Sequence, residues 1–311
     1  MLIDLAANRD AVAGRRFDVC VIGGGAAGVS LTRALMKAGH SICLAESGGL
    51  DFEERTQRLY RGENIGHPYY ELDEARLRFF GGTVSIWAGA ARCSTRSTSA
   101  GATGCRIRAG RSGRSTWRPG TAPALEVFDL GQCAQGDPYS QAGIPDQGFD
   151  PARLATGIWF FDETSERFAA SRTRDLFEAP NVTVLLHANA VKLQAASNAA
   201  SVEHVELRTL GGTSIRVEAT HFVLAAGAIE NARILLASDD VQTAGLGNGH
   251  DMVGRFFMEH PTGRIGRVET PRPFDLWAAY QKRFRKDGPC SLRCCAFRTK
   301  CRRRRARSIR S

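Results

Sequence analysis

The sequence predicts an α/β fold centred on a parallel βαβ unit, and three observations carry that prediction. First, Phe17-Asp18-Val19-Cys20-Val21-Ile22 is a short, mostly apolar run that ends in Gly23-Gly24-Gly25-Ala26-Ala27-Gly28. Beyond it Leu31, Ala34, Leu35 and Ala38 recur at helical spacing, with Gly39 placed to close the helix. Second, Ser41-Ile42-Cys43-Leu44-Ala45 reads as another parallel strand and ends at Glu46, eighteen residues past Gly28. Third, a strand-like run from Asn181 to Val191 precedes two polar-apolar strands joined through Gly211-Gly212. A further apolar run follows from His221 to Ala226, then a helix from Ile229 to Ala237.

The glycine spacing has a chemical reason. Gly23 permits a tight turn, Gly25 lets backbone approach a pyrophosphate, and Gly28 allows a helix to pack closely on the strand. The helix beginning near Ala26 and Ala27 then points its positive end at the phosphates. Glu46 stands where an acid would accept the ribose hydroxyls. Glycine-rich turns also occur in ordinary loops, but the strand before, the helix after and the acid at this distance select a nucleotide site. The expected core is therefore a Rossmann-like FAD/NAD(P)-binding fold with a βαβ core and an inserted β hairpin or meander. Spacing alone does not choose between NAD and FAD.

Composition bounds the rest. At 43% hydrophobic and 24% charged residues, the 311-residue chain is globular in character. No run approaches the roughly 20 apolar residues of a membrane helix, and Met1 to Arg16 has no secretory-type stretch, so a cytoplasmic location is expected. The net charge of +10 is unevenly spread. Between Arg283 and Ser311 there are twelve Lys or Arg against Asp287 alone, and between Arg92 and Arg118 seven Arg and no acid. The remaining body is acidic. Cys93, Cys105, Cys290, Cys294, Cys295 and Cys301 lie in or beside the basic segments without zinc-type spacing, whereas Cys20 and Cys43 read as small buried residues.

Further motifs narrow the function. Arg76-Leu77-Arg78-Phe79-Phe80-Gly81-Gly82-Thr83-Val84-Ser85-Ile86-Trp87-Ala88-Gly89 combines basic residues, paired glycines, small hydroxylated residues and Trp. Together with the first glycine loop, the Ala225-Ala226-Gly227 turn before Glu230, and Val253-Gly254-Arg255-Phe256-Phe257-Met258-Glu259-His260-Pro261, it resembles the glucose-methanol-choline (GMC) oxidoreductases, over roughly residues 15 to 90 and 126 to 265. That resemblance implies an FAD-dependent oxidoreductase acting on CH–OH groups of alcohols or sugars, with hydride passing to flavin N5 and a His removing the hydroxyl proton. It places the cofactor against Gly23, Gly25, Ala26, Ala27, Gly28, Glu46 and Ser47. The second loop would add Arg78, Gly81, Gly82, Thr83, Ser85 and Trp87, with backbone amides around Gly81 to Ser85 as donors. Backbone at Ala190 or Val191 would meet the adenine, and Ala226 and Gly227 would close over the nucleotide. Trp87 either faces the flavin or packs. Glu230 either approaches the cofactor or stabilises its helix start, the simpler account.

Two departures from the family matter. Some relatives carry a flavin-linking His where this chain has Ile86, so FAD should be held non-covalently. The family's catalytic His and its His or Asn partner lie near the end of a much longer chain, and nothing after Pro261 resembles that region. The catalytic residues are thus unknown, and by this resemblance the chain reads as truncated, an FAD/NAD(P)-binding fold plus an incomplete substrate domain. None of His40, His67, His187, His204, His221, His250 and His260 matches the catalytic pair, and His260 reads as structural or domain-joining. The alternative function is a non-catalytic FAD-binding remnant.

The expected organisation is an FAD-binding core over 15–90, an aberrant segment over 91–125, the core continued with substrate-domain elements over 126–265, and an aberrant basic tail over 266–311. From Arg92 to about Ala124, and again from about Arg285, composition is dominated by Arg, Ser, Ala, Gly, Thr, Pro and Cys without period 2 or 3.6, so both should lack ordinary packing. Shifted reading of GC-rich DNA yields this composition. A basic tail that binds nucleic acid or an anionic membrane is the weaker reading, and no nucleic-acid partner is expected. The partner expected is a small alcohol or sugar, with the electron acceptor open. Translating the coding DNA in its other two frames is expected to give GMC-like sequence opposite residues 92 to 124; its absence from both frames would exclude the frameshift.

Overall fold

The computed structural model describes residues 1–8, 10, 12–66, 68–86, 89–91, 123–130, 154–162, 166–259, 267, 269–285 and 288–297. It divides into two compact units, Met1–Ile86 with Glu166–Thr262, and Trp87–Ser165 with Gly263–Ser311.

The first unit is a mixed α/β body around a seven-stranded sheet, Rossmann-like in its arrangement. Its strands are β1 (Leu2–Asp4), β2 (Arg16–Ile22), β3 (Ile42–Ala45), β6 (Val182–Leu186), β7 (Asn189–Ala195), β8 (Val202–Arg208) and β9 (Ser214–Leu224). Their spatial order is β1-β6-β3-β2-β9-β8-β7. The first five in that order pair in parallel, and β9, β8 and β7 form an antiparallel meander. One strand serves both parts: residues 214–218 of β9 pair antiparallel with β8, and its C-terminal half pairs parallel with β2, Leu224 facing Ile22. The expected meander is therefore an extension of the main sheet.

Every residue of β3 and β6 is buried, the pattern of strands covered on both faces. Cys20 and Cys43 are buried register partners on β2 and β3 and free thiols, as small apolar residues would be. Between these strands runs α1 (Ala26–Lys37), closed by Gly39 at φ +85° with the His40 amide donating to the Leu35 carbonyl. The face that α1 buries is Gly28, Val29 and Thr32, whereas Ala34 is exposed and Leu31 and Leu35 are half-buried. The apolar stripe read from the sequence is thus corrected. Contact is made where Gly28 lets the helix sit against the glycine turn, because a Cβ there would lie 1.9 Å from the Gly23 carbonyl oxygen.

The strand expected from Asn181 to Val191 is two strands. The break is His187, whose φ of +52° turns the chain between β6 and β7. Its ring is clasped on both sides, Nδ1 lying 2.8 Å from Asp4 Oδ1 and Nε2 3.0 Å from Glu53 Oε1. Burial opposes charge on this ring, but the hydrogen bonds it donates to Asp4 and Glu53 outweigh that and hold His187 above the ordinary histidine range.

The second unit contains a four-stranded antiparallel sheet ordered β10-β11-β5-β4, from β4 (Gly89–Ala91), β5 (Leu154–Asp162), β10 (Arg283–Arg285) and β11 (Gly288–Phe297). A short helix precedes β10 over Pro273–Tyr280. The expectation that the chain lacks regular structure from about Arg285 is corrected for Gly288–Phe297, which pairs with β5 from Cys290↔Phe161 to Phe297↔Leu154. The pairing is made by backbone groups, which the Arg- and Cys-rich composition does not report. Residues 92–122 and 298–311 lie outside the described residues.

Two outcomes follow for this architecture. Gly28→Ala should destabilise the first unit by about 1–3 kcal/mol in a denaturant titration, since the Gly23 backbone cannot yield to the new methyl. The His187 clasp should add stability below about pH 6.5 and lose it as pH rises through the raised pKa, because the folded state binds the proton more tightly than the unfolded chain. Its partners are more than a third exposed, so the difference should not exceed about 1 kcal/mol. Melting temperatures of wild type and His187→Gln, compared across pH, should converge toward alkaline pH.

Candidate functional site

The carboxyl ends of β2, β3 and β9 bring three turns together. At the end of β2, Gly23 adopts φ +110° and its amide donates to the Ala45 carbonyl at 2.8 Å. A Cβ on Gly23 would lie 2.6 Å from the Ala225 carbonyl oxygen, so only glycine lets the turns after β2 and β9 touch. Gly25 differs, because its Cβ position is open except for the Gly81 carbonyl oxygen at 3.9 Å. That opening lies at the start of α1, whose N-cap Gly25 contributes no side-chain cap. The first amides of a helix have no partner within it, so the turn at Gly25, Ala26 and Ala27 presents donors and a positive dipole end to whatever anion occupies the opening.

Glu46 follows β3 and is buried. Its Oε2 accepts the Gly24 amide at 2.7 Å and its Oε1 the Gly48 amide at 2.8 Å. Each carboxylate oxygen keeps further acceptor capacity, so the same group can tie two turns and still receive ligand hydroxyls. Ser47 Oγ donates to Glu46 Oε1 at 3.4 Å.

The second glycine segment lies directly on the first. The Gly81 amide donates to the Gly24 carbonyl at 2.9 Å, Gly25 and Gly81 form an isolated parallel bridge, and the Phe80 amide donates to the Gly49 carbonyl. Gly81 and Gly82 have φ of +97° and +65°, after which Gly82–Ile86 forms a short 3-10 turn. The expectation that amides from Gly81 onward face a ligand is corrected for two of them. Gly81 donates to Gly24 and Gly82 to Phe79. Thr83 Oγ1 accepts the Leu77 amide at 3.1 Å, fixing the loop's own curvature. Ser85 is half-buried and Ile86 is 59% exposed. Trp87, also expected at the site, and His260 lie outside the described residues.

On the far side, the Ala225 amide donates to the Ile22 carbonyl at 2.7 Å, and the Asn231 side chain accepts the Ala226 amide at 2.9 Å. Gly227, at φ +86° with open space around its Cβ position, caps the next helix, α4 (Ala228–Ala237), again without a side-chain cap. Ala190 is buried on β7, where a register shift between Ala190 and Lys192 leaves Val191 at a bulge. The Ala190 carbonyl accepts from Arg233 Nη2 at 3.2 Å.

Sequence reasoning gave Glu230 a helix-start role; the structure gives it a larger one. Its buried carboxylate pairs with Arg76 at 3.0 Å, Arg78 at 3.1 Å and Arg233 at 2.7 Å. Burial opposes its charge, but Arg233, Arg78 and Arg76 outweigh that and hold the carboxyl below the usual range. Both Arg76 and Arg78 also lie over the Tyr60 ring, about 4 Å from its centroid. Arg78, 7% exposed, donates from Nη1 to Ser47 Oγ at 3.0 Å, while its buried Nε has no hydrogen-bond partner among the described residues. The alternation Arg76-x-Arg78 before a glycine pair, set against an acid in the first turn of a later helix, was the available signal. Long-range pairing made it unreadable in the chain alone.

Among the described histidines, His187 is held by carboxylates, and His40, His221 and His250 are exposed.

No protein-family profile and no curated protein matches the chain. Among solved structures, the chain is similar to pyridoxine 4-oxidase from Mesorbium loti, at 18% identity and a TM-score of 0.45 over 71% of this chain and 51% of that one. It is similar to a formate oxidase at 16% identity and 0.41, over 72% and 48%, and to a fungal aryl-alcohol oxidase at 13% and 0.46, over 71% and 47%. The chain spans about half the length of the solved structures it matches.

Proposed function

We propose that this chain is the FAD-binding portion of a GMC-type oxidoreductase acting on CH–OH groups of alcohols or sugars. The observation that carries the reading is the convergence of an uncapped helix start at Gly25, a buried acid at Glu46 and the Gly81–Ser85 loop on one opening at the sheet's carboxyl edge. Such an edge, with an acid on the neighbouring strand end, is where a dinucleotide lies across a doubly wound sheet.

The residues fit an FAD. The opening at Gly25 admits phosphate oxygens that a larger residue would displace, and the first amides of α1 would hold them. Glu46 would accept the adenosine ribose hydroxyls while staying fixed by Gly24 and Gly48. The bulge at Val191 would place backbone beside the adenine, and the turn at Ala226 and Gly227 would border the nucleotide. The Gly82–Ile86 turn, with Thr83 at its start, would border the isoalloxazine. Ile86 at the linking position supports non-covalent attachment. FAD, when bound, supplies the hydride-accepting centre; the protein's part here is to bind, orient and exclude water.

The second reading, a non-catalytic FAD-binding remnant, is supported by the sequence, in which none of the seven histidines lies in a motif matching the family's catalytic pair. The purified chain is expected to show a flavin spectrum after incubation with FAD, and Glu46→Ala should weaken FAD binding at least tenfold, the size of a lost charged hydrogen bond. Anaerobic titration with alcohols and sugars separates the readings, because bleaching of the flavin band identifies the oxidoreductase and a bound but unreduced flavin identifies the remnant. A chain that takes up no FAD would overturn both.

A further inference from the structure

We infer that Glu230 is a positioning residue for the adenosine half of the nucleotide, acting through Arg78 and Ser47 on Glu46. The inference rests on the FAD reading and adds a part to it.

The contacts form an unbroken chain across the site. Glu230 Oε2 lies 3.1 Å from Arg78 Nη2, Arg78 Nη1 donates to Ser47 Oγ at 3.0 Å, and Ser47 Oγ donates to Glu46 Oε1 at 3.4 Å. Glu46 in turn receives the amides of Gly24 and Gly48. One hydrogen-bonded line therefore joins the start of α4, the second glycine segment, the turn after β3 and the first glycine loop. Arg78 is fixed along its length, with its guanidinium over Tyr60 and its amide donating to Gln57 Oε1 at 3.0 Å. Gln57 also donates to the carbonyls of Asp73 and Arg76.

Charge gives the line a direction. Three guanidinium groups surround one carboxylate, and the Arg76 and Arg78 side chains are 15% and 7% exposed, so the cluster holds more positive charge than Glu230 neutralises. Removing the anion from such a cluster leaves buried positive charge uncompensated, which is strongly destabilising to the arrangement around it. With Glu230 in place, Arg78 keeps the Ser47 hydroxyl turned toward Glu46, and Glu46 keeps both oxygens aligned for its amides and for ribose. Without that carboxylate, the buried positive charge on Arg76 and Arg78 loses its counter-ion, Arg78 shifts from its place on Ser47, and Glu46 loses the hydroxyl that orients it.

The test uses the full chain and two probes, FAD followed by flavin fluorescence and ADP followed by calorimetry. ADP carries the adenosine and phosphates without the flavin. Glu230→Gln is expected to weaken both by the same factor, about tenfold, the scale of coupling in a hydrogen-bonded network. Ser47→Ala should produce a similar loss, and the double variant should add little to either single change. Should Glu230→Gln fail to fold by circular dichroism, Glu230→Asp decides: it keeps the charge against the arginines but shortens its reach to Arg78, so both probes should weaken by the same factor, and wild-type affinity for both would overturn the inference. A folded Glu230→Gln that binds FAD and ADP as wild type does would overturn the inference alone. Weaker FAD with unchanged ADP would also overturn it, because the effect would then act on the flavin half. Wild type that binds neither probe would bring down the FAD reading, and this inference with it.

Discussion

The site depends on one buried carboxylate. Glu46 accepts amide hydrogens from Gly24 and Gly48, in the turns that follow the paired strands β2 and β3. A charged acceptor is stronger than a neutral one and is costly to leave unpaired when buried, so both turns are drawn to a single point. The second glycine segment then docks on this pair through Gly81 to Gly24 and Phe80 to Gly49. Around Glu46 the backbone has little choice: a side chain at Gly24 would meet its carboxylate oxygen at 2.9 Å, and one at Gly48 would meet the Arg78 carbonyl at 2.3 Å.

How much of this was legible in the sequence depends on whether the signal was local. The βαβ unit was readable because its turn, helix and acid are set by spacing within one stretch, and β2, α1 and β3 occupy the expected places. Gly39 closes its helix as its position indicated. The buried face of α1 was not readable, because a 3.6-residue stripe of Leu and Ala says nothing of a glycine-enabled approach elsewhere on the helix. The break at His187 was hidden for a similar reason. A run of apolar residues gives no notice of a left-handed residue held by acids drawn from Asp4 and Glu53, far away in the chain.

The candidate site shows the same division. Gly23, Gly25, Gly28 and Glu46 were legible one by one, since each answers a local steric or charge demand. The Glu230 cluster was legible only in part, because its members come from the second glycine segment and a late helix. Their pairing is a property of the folded sheet edge. Composition misled in one place: the Arg- and Cys-rich stretch before the C-terminus gave no sign of β11, whose backbone pairs with the aromatic-rich β5.

The shared strand β9 has a consequence for how the molecule is made. Its C-terminal half is the direct neighbour of β2, so Phe17 meets Ala219 and Ile22 meets Leu224 across some two hundred residues of chain. Loop closure over that distance is slow relative to local pairing. On the ribosome, β2 and β3 emerge early, yet the strand that closes β2's other edge arrives only after residue 224. Until then β2 offers an open, apolar edge of the kind that invites pairing with foreign strands. Yield in the cell should therefore be governed by protection of the nascent chain during that interval.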